Sequence, residues 1–272
     1  MKLTYLGTAA AEGMPAIFCN CDYCRKAREL GGKNIRTRSQ SIINDDLLID
    51  LPADTYFHFL QNGIEGDKIK YLLVTHSHQD HFYINELMLR KAPYGHNLRN
   101  ETLKIFCGQG TFDKLSEYDK LANAEFTKLN HFEEVSFGDY SVIAMPARHY
   151  MGDDALIYII KNGDKTVLYA HDTGYLYEEN FDFIEKNNIV FDMVSFDCTN
   201  VILPVSDEGG HMGIQNIPRV IERLESINAV TANTIKYVNH FSHNGNPLHD
   251  EMQEIAKSIG CLASYDGCEV EI

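Results

Sequence analysis

The chain has 272 residues, 44% of them hydrophobic, enough to build a sizeable core in one large domain or two small ones. Twenty-four basic against 39 acidic residues give a formal charge of −15, which argues against a broad basic surface for long nucleic acid or anionic lipid. A small anionic substrate stays open, because bound cations can invert a local field. No apolar run approaches the roughly 18 residues of a membrane span. The first residues, "MKLTYLGTAAAEGMP", hold one lysine and no long apolar stretch, so no signal peptide is expected and a cytoplasmic location is. Seven cysteines in such a chain point to metal binding or catalysis rather than a disulfide framework.

Short apolar runs alternate with helical patterns along the chain. "KLTYLG" (2–7), "SQSIIN" (39–44), "DLLIDL" (46–51), "KYLLVTH" (70–76) and "LKIFCG" (103–108) read as strands. So do "YSVIAMPA" (140–147), "ALIYIIK" (155–161), "KTVLYAHD" (165–172), "FDMVSFD" (191–197) and "IKYVNHF" (235–241). Helices are expected over 53–62, 83–91, 110–122, 178–187, 214–228 and 248–258. Neither repeats nor a Pro/Ser-rich linker interrupt the pattern, so residues 1–272 read as a single α/β layered domain. His76, His149, Asp172 and His240 each fall at the C-terminal end of a strand-like run, where rigid scaffolds usually carry their sites.

The segment "THSHQDH" at 75–81 concentrates three histidines and an aspartate. In extended backbone His76 and His78 point the same way, and a following turn lets Asp80 and His81 face the same volume. Burying so many polar rings without a cation to satisfy them is costly, and nitrogen and oxygen ligands suit zinc, iron or manganese. This H-x-H-x-D-H loop after a strand resembles the metallo-β-lactamase superfamily. The resemblance implies a four-layer αβ/βα sandwich with the site at the edge between two sheets. It also implies ligands from "PARH" (His149), "AHDTG" (Asp172) and "VNHFSH" (His240). His76, His78 and His149 would then hold one divalent metal, Asp80, His81 and His240 a second, and Asp172 would bridge them. Two cations about 3.5–4 Å apart can share a hydroxide and clamp the attacking and leaving oxygens of a displacement, which fits hydrolysis of a phosphodiester or acyl bond.

"FCNCDYC" at 18–24 places Cys19, Cys21 and Cys24 in a C-x-C-x2-C cluster suited to a tetrahedral metal. His243, three residues beyond His240, is the expected fourth ligand of a closed structural zinc site that ties the two loops together. This cluster together with the histidine motifs resembles the cyclic phosphodiesterases of the carbon–phosphorus lyase pathway. A related protein of pyrroloquinoline quinone biosynthesis carries a similar cluster. In the resembled phosphodiesterases a histidine in the position of His211, in "DEGGHMGI", is the proposed general acid, acting on the leaving oxygen after a bridging hydroxide attacks phosphorus. Histidine suits that task because its ordinary pKa lies near neutrality. The expected catalytic residues are therefore His211 and the ligand Asp80. The resemblance further implies a small-molecule phosphodiester as partner, and a homodimer. A tRNA 3′-end endonuclease shares the seven ligands but is disfavoured by the acidic charge, and a non-catalytic cofactor-biosynthesis protein is the other alternative.

Several residues remain open between roles. Asp197 either orients a ligand histidine or serves as a structural loop carboxylate. The small residues of "YLGTAAAEGMP" could bring backbone N–H groups toward an anion. Arg36 and Arg38 could meet a phosphate, though surface placement is the commoner outcome for arginine. His171 should point away from Asp172, His249 sits where "NPLHDEM" starts a helix, and His58, His96 and His131 have no evident partners. Cys107, Cys198, Cys261 and Cys268 read as buried small hydrophobes.

Overall fold

The computed structural model describes residues 1–118, 123–149, 154–245 and 247–272. Its first seven-stranded sheet contains β1 (Lys2–Gly7), β2 (Gln40–Ile43), β3 (Leu47–Ile49), β4 (Tyr71–Val74), β5 (Leu103–Cys107), β6 (Ala124–Lys128) and β14 (Cys268–Glu271). The second contains β7 (Glu134–Phe137), β8 (Tyr140–Pro146), β9 (Leu156–Asn162), β10 (Lys165–Ala170), β11 (Met193–Asp197), β12 (Ile235–Asn239) and β13 (Leu262–Ala263). The order across them is 14-1-2-3-4-5-6 and 13-12-11-10-9-8-7. Six α-helices lie among the described residues: α1 (Asp22–Leu30), α2 (Thr55–Asn62), α3 (Gln109–Glu117), α4 (Glu178–Lys186), α5 (Ile217–Ser226) and α6 (His249–Ser258). No helix among the described residues is long and apolar enough to cross a membrane.

The sheets are apolar on both faces, which is why their strands read as near-continuous hydrophobic runs. In β4, Tyr71 and Leu73 face the second sheet while Leu72 and Val74 face outward, as the period of two requires. In β10, Val167 and Tyr169 face inward and Leu168 and Ala170 outward. The inter-sheet layer joins Leu3, Ile43 and Leu73 of one sheet to Val142, Tyr158 and Tyr169 of the other. The outer face of the second sheet is covered by Phe181 and Ile184 of α4, Val220 and Leu224 of α5, and Met252 and Ala256 of α6. Phe59 of α2 and Leu115 of α3 cover the first sheet. The four layers of the expected αβ/βα sandwich are therefore present. Each large side chain withdrawn from water in them contributes about 1.5–3 kcal/mol.

All ten predicted strands form. β6 and β7 were not anticipated, because charged residues interrupt their apolar pattern along exposed stretches. β14 alternates buried and exposed positions, and its pairing with β1 extends the first sheet. The expected helix over 83–91 is a 3₁₀ segment, Ile84–Arg90. That over 110–122 runs from Gln109 to Glu117, and residues 119–122 lie outside the described residues. α5 starts at Ile217 rather than 214 because Pro218 occupies the first turn, where its missing N–H is no loss.

The two sheets are stitched at the edge where β4 ends. The Tyr158 hydroxyl donates to the Val74 carbonyl at 2.5 Å, and Leu156 N donates to Thr75 O at 2.8 Å. That edge carries the histidine loop.

Candidate metal centre

Thr75 follows β4, and its N–H donates to Asp50 Oδ1 at 2.8 Å. Asp50 sits directly past β3, is fully buried, and lies 2.7 Å from His81 Nδ1 through its other oxygen. The loop then turns, with Phe82 N donating to His78 O at 2.7 Å, and is held to the neighbouring segment by Leu51 N to His81 O and Tyr83 N to Leu51 O. Asp50 thereby receives the Nδ1 proton of His81 and leaves Nε2 facing inward. Asp172 and His240 follow β10 and β12 in the same way. Asp50, Asp172 and His240 all have positive φ, at 66°, 54° and 64°. This left-handed backbone, uncommon outside glycine, turns each chain sharply where its strand stops and aims the side chain at the sheet edge.

Three overlapping groups of ligand atoms result, and all contain Asp172. In the first, His76 Nε2 is 3.0 Å from His78 Nδ1, His149 Nε2 is 3.3 Å from the same atom, and Asp172 Oδ2 is 3.1 Å from His76 Nε2. In the second, His81 Nε2 lies 3.2 Å from His240 Nε2, 3.2 Å from Asp172 Oδ2 and 3.5 Å from Asp80 Oδ2. Ligands about 2.0–2.1 Å from a tetrahedral cation stand about 3.4 Å from one another. The observed separations match that spacing. Asp172 Oδ1 is buried and accepts no aligned hydrogen bond, although His211 Nδ1 comes within 3.0 Å. A buried carboxylate oxygen left this way among converging ring nitrogens is a donor set suited to divalent cations. The structure thus brings His76, His78, Asp80, His81, His149, Asp172 and His240 together at one sheet edge.

Electrostatics reinforce this. Burial, only partly opposed by Asp172, pushes the His149 ring down to about 4, so at neutral pH it is an uncharged potential ligand. Burial alone would raise Asp172, but His240 and His76 reverse this and hold it well below the usual carboxylate range. Burial also disfavours charge on His81, yet Asp50 and Asp80 outweigh it and raise the ring well above its ordinary value. Protons and cations therefore compete for that nitrogen.

The cysteine cluster closes beside this centre. Cys21 caps α1, its sulfur accepting from Cys24 N, and Cys24 is buried in the first turn. His243 Nδ1 is 3.5 Å from Cys24 Sγ and 3.9 Å from Cys21 Sγ, and Cys19 completes the group. With metal–sulfur bonds of about 2.3 Å, sulfur–nitrogen separations near 3.6 Å are expected. The set Cys19, Cys21, Cys24 and His243 fits a closed zinc site. The backbone N–H of Cys24 and then His243 lower the Cys21 thiol to about 6, whereas burial raises Cys24 to about 11.

His211 lies outside the first two groups of ligand atoms, forms a third with Asp172, Asp197 and His240, and faces the same cleft. Its Nδ1 is 3.0 Å from Asp172 Oδ1 and 3.5 Å from Asp197 Oδ2. Burial would lower its affinity for a proton, and these two carboxylates more than reverse that, to about 11. Its loop is fixed by close backbone approach: a Cβ on Gly174 would stand 1.8 Å from Gly209 O. Asp197 accepts from the N–H groups of Asp172, Thr199 and Met212 and from the Thr199 hydroxyl. It is thus an organiser of loops, and it also lies 3.4 Å from the ligand His240 at Nδ1. His171 packs away from the centre against Ser195, at 2.7 Å, and the four isolated cysteines are buried.

Other expectations are corrected. Arg36 is buried rather than on the surface, donating to Thr8 Oγ1 and Ser264 O, because the sheet ends around it supply acceptors. Arg38 is partly covered and pairs with Asp54. His58 is buried between Thr37 and Gln40, at 2.6 Å from each, His131 pairs with Asp154 at 3.0 Å, and His249 meets Arg36 at 3.3 Å. His96 reaches Pro93 O at 3.0 Å. Asp50, Thr75 and Thr199, whose hydroxyl is 2.7 Å from His240 Nδ1, were not singled out in the sequence. Asp50 was legible by the strand-end rule that selected His76.

The centre opens into a cleft of about 430 Å³, bordered by Ala10, Ala11 and Glu12 of the N-terminal loop and by Asn200, Ser242 and Asn244. That volume suits a small molecule. A larger cleft of about 500 Å³ beside the Asn44–Asp46 turn contains none of the predicted ligands.

The model of the beta-lactamase superfamily domain matches residues 50–240, from Asp50 to His240. The chain belongs to the beta-lactamase superfamily. Within it, the sequence is 26% identical over 204 residues to Ribonuclease Z of Picrophilus torridus, covering 72% of this chain and 53% of that protein. The chain thus spans about half the length of the curated relative it matches. A diphosphatase of the PhnP family superposes with a TM-score of 0.75 at 22% identity, covering 100% of this chain and 97% of the other. Zn²⁺-bound PqqB from Methylobacterium extorquens gives 0.76 at 18% identity, with 100% of both chains covered. At such identities these likenesses show a shared superfamily fold.

Proposed function

We propose that this superfamily member is a divalent-metal-dependent hydrolase of small phosphodiesters, with cyclic phosphate esters as its preferred class. The observation that carries this reading is His211, placed at the same cleft beside Asp172 and Asp197 and belonging to neither the His76, His78 and His149 set nor the Asp80, His81 and His240 set. Cations held by His76, His78 and His149, by Asp80, His81 and His240, and shared at Asp172 would supply Lewis acidity and a water that deprotonates near neutral pH.

The chain's own groups do the rest. The cleft holds the diester against the ligand groups, and Asp50, Thr75 and Thr199 fix the ring orientations. When water attacks phosphorus and the bond to the leaving alkoxide breaks, that oxygen needs a proton. His211 delivers it from Nε2 and becomes neutral, with Nδ1 still against Asp172 and Asp197. Cations on Asp172 would weaken its hold on this proton and bring His211 nearer to neutrality. The cysteine site, three residues from His240, would hold that loop in register.

A second reading, tRNA 3′-end cleavage, draws support from the likeness to Ribonuclease Z. The formal charge of −15 and the small cleft favour the small substrate. The deciding experiment loads the protein with zinc or manganese and assays bis(p-nitrophenyl) phosphate, 2′,3′-cyclic nucleotides and a precursor tRNA. Turnover of the small diesters with little tRNA cleavage is expected. No turnover of any diester by fully metallated protein would favour a non-catalytic role of the kind considered from sequence.

A further inference from the structure

The cleft beside the metal centre has an unusual charge distribution for a site that receives phosphate esters. Among the described residues bordering it, none is lysine or arginine. Basic side chains around it are engaged by other groups: Lys114 donates to Ser77 O of the histidine loop. Arg38 donates to Ala11 O at 2.9 Å, but its guanidinium pairs with Asp54 at 3.1 Å. Arg148 pairs with Glu208 at 2.6 Å, donates to Tyr175 O at 3.0 Å and stacks over Tyr177. The border instead carries a carboxylate. Glu12 accepts from the Ser242 hydroxyl at 2.5 Å and lies 3.8 Å from His243 Nε2, with about a third of its side chain exposed. Asn200 and Asn244 supply neutral amides to the same border.

Charge bookkeeping makes the consequence explicit. The four carboxylates nearest the ligand rings, Asp50, Asp80, Asp172 and Asp197, match two divalent cations. A scissile diester, with its single negative charge, is met by His211 and the cations. A second anionic group on the substrate has no counter-charge and meets Glu12.

We infer that the cleft selects phosphodiesters whose only anion is the scissile phosphate, and that Glu12 is the specificity-determining residue that turns away substrates bearing an additional phosphate. Neutral hydroxyl-bearing or cationic substituents fit the amides and the carboxylate. The inference rests on the phosphodiesterase reading above and narrows its substrate class.

The test compares uridine 2′,3′-cyclic phosphate with the same compound carrying a 5′-phosphate, in metal-loaded wild-type protein and in Glu12→Gln. The expected wild-type kcat/KM is lower for the 5′-phosphorylated substrate by about tenfold or more, carried by KM. Glu12→Gln shrinks that ratio severalfold while metal at the cysteine site, measured in parallel, is retained. Equal kcat/KM for the two substrates in wild type overturns the inference and leaves the phosphodiesterase reading standing. So does a ratio unchanged in Glu12→Gln with its metal content intact. Hydrolysis of neither substrate removes the phosphodiesterase reading, and this selectivity with it.

Discussion

Asp50→Asn is the most informative substitution outside the ligand sets. Asp50 is fully buried, accepts from Thr75 N at 2.8 Å and from its hydroxyl at 2.9 Å, and faces His81 Nδ1 at 2.7 Å. Asparagine keeps the shape and one acceptor, so the Thr75 bond can survive. The atom facing His81 then becomes an N–H donor. It forces the ring proton from Nδ1 to Nε2, the nitrogen that stands 3.2 Å from both Asp172 Oδ2 and His240 Nε2. One ligand of the Asp80, His81 and His240 group is thereby spoiled without touching a ligand residue. Losing such an orienting carboxylate weakens metal affinity about 10–100-fold, or about 1.4–2.7 kcal/mol. Zinc titration in a chelator-buffered series should show one active-site cation bound that much more weakly while the His76, His78 and His149 group changes less. Unchanged affinity for both cations in a folded Asp50→Asn protein would refute the orienting role.

His211→Ala should keep its metals and lose about 10²–10⁴-fold in turnover of alkyl diesters, with far less loss on an aryl diester whose leaving group needs no proton; equal loss on both removes the acid role. Cys21→Ser should release one zinc per chain and lower the unfolding midpoint while two cations still load, and unchanged zinc content contradicts the thiolate site. Gly174→Ala drives a methyl against Gly209 O, so it should cost about 1–3 kcal/mol in urea unfolding and depress kcat with metal retained; wild-type stability and kcat would show that the approach does not position His211. Burial raises Asp266 from 3.8 to about 6, so between those values the folded chain keeps a proton that the unfolded chain gives up, and stability from this group falls as pH rises. Asp266→Asn should therefore gain on wild type by about 2 kcal/mol between pH 4 and pH 7, and a pH-independent difference in urea unfolding would contradict this.

Much of the centre was legible because its chemistry is local. His76, His78, Asp80 and His81 share one loop, and Cys19, Cys21 and Cys24 share another. Strand-end placement together with the family resemblance then picked out His149, Asp172 and His240 across wide gaps in the chain. What stayed hidden is non-local or unpatterned. Asp50 stands at a strand end, but its partners Thr75 and His81 emerge only when β3 pairs with β4. Thr199 and Glu12 gain meaning only through the loops folded against them. Arg36 was misjudged because a lone arginine usually stays wet, whereas here Thr8, Ser264 and His249 surround it. The edge strands β6 and β7 escaped because they bury too little to imprint an alternation. α1 was passed over because its cysteines were read for metal chemistry alone, while Cys21 also starts the helix.

The account's central claim is that strand ends of two facing sheets converge to hold a pair of cations, with a third beside them in the cysteine loop. Anomalous diffraction from a crystal of metal-loaded protein, collected at the absorption edge of the metal, tests it most directly. The predicted result is two peaks about 3.5–4 Å apart on either side of Asp172, and a third within bonding distance of Cys19, Cys21, Cys24 and His243. Peaks confined to surface carboxylates, or a centre with no peak at Asp172, would contradict it.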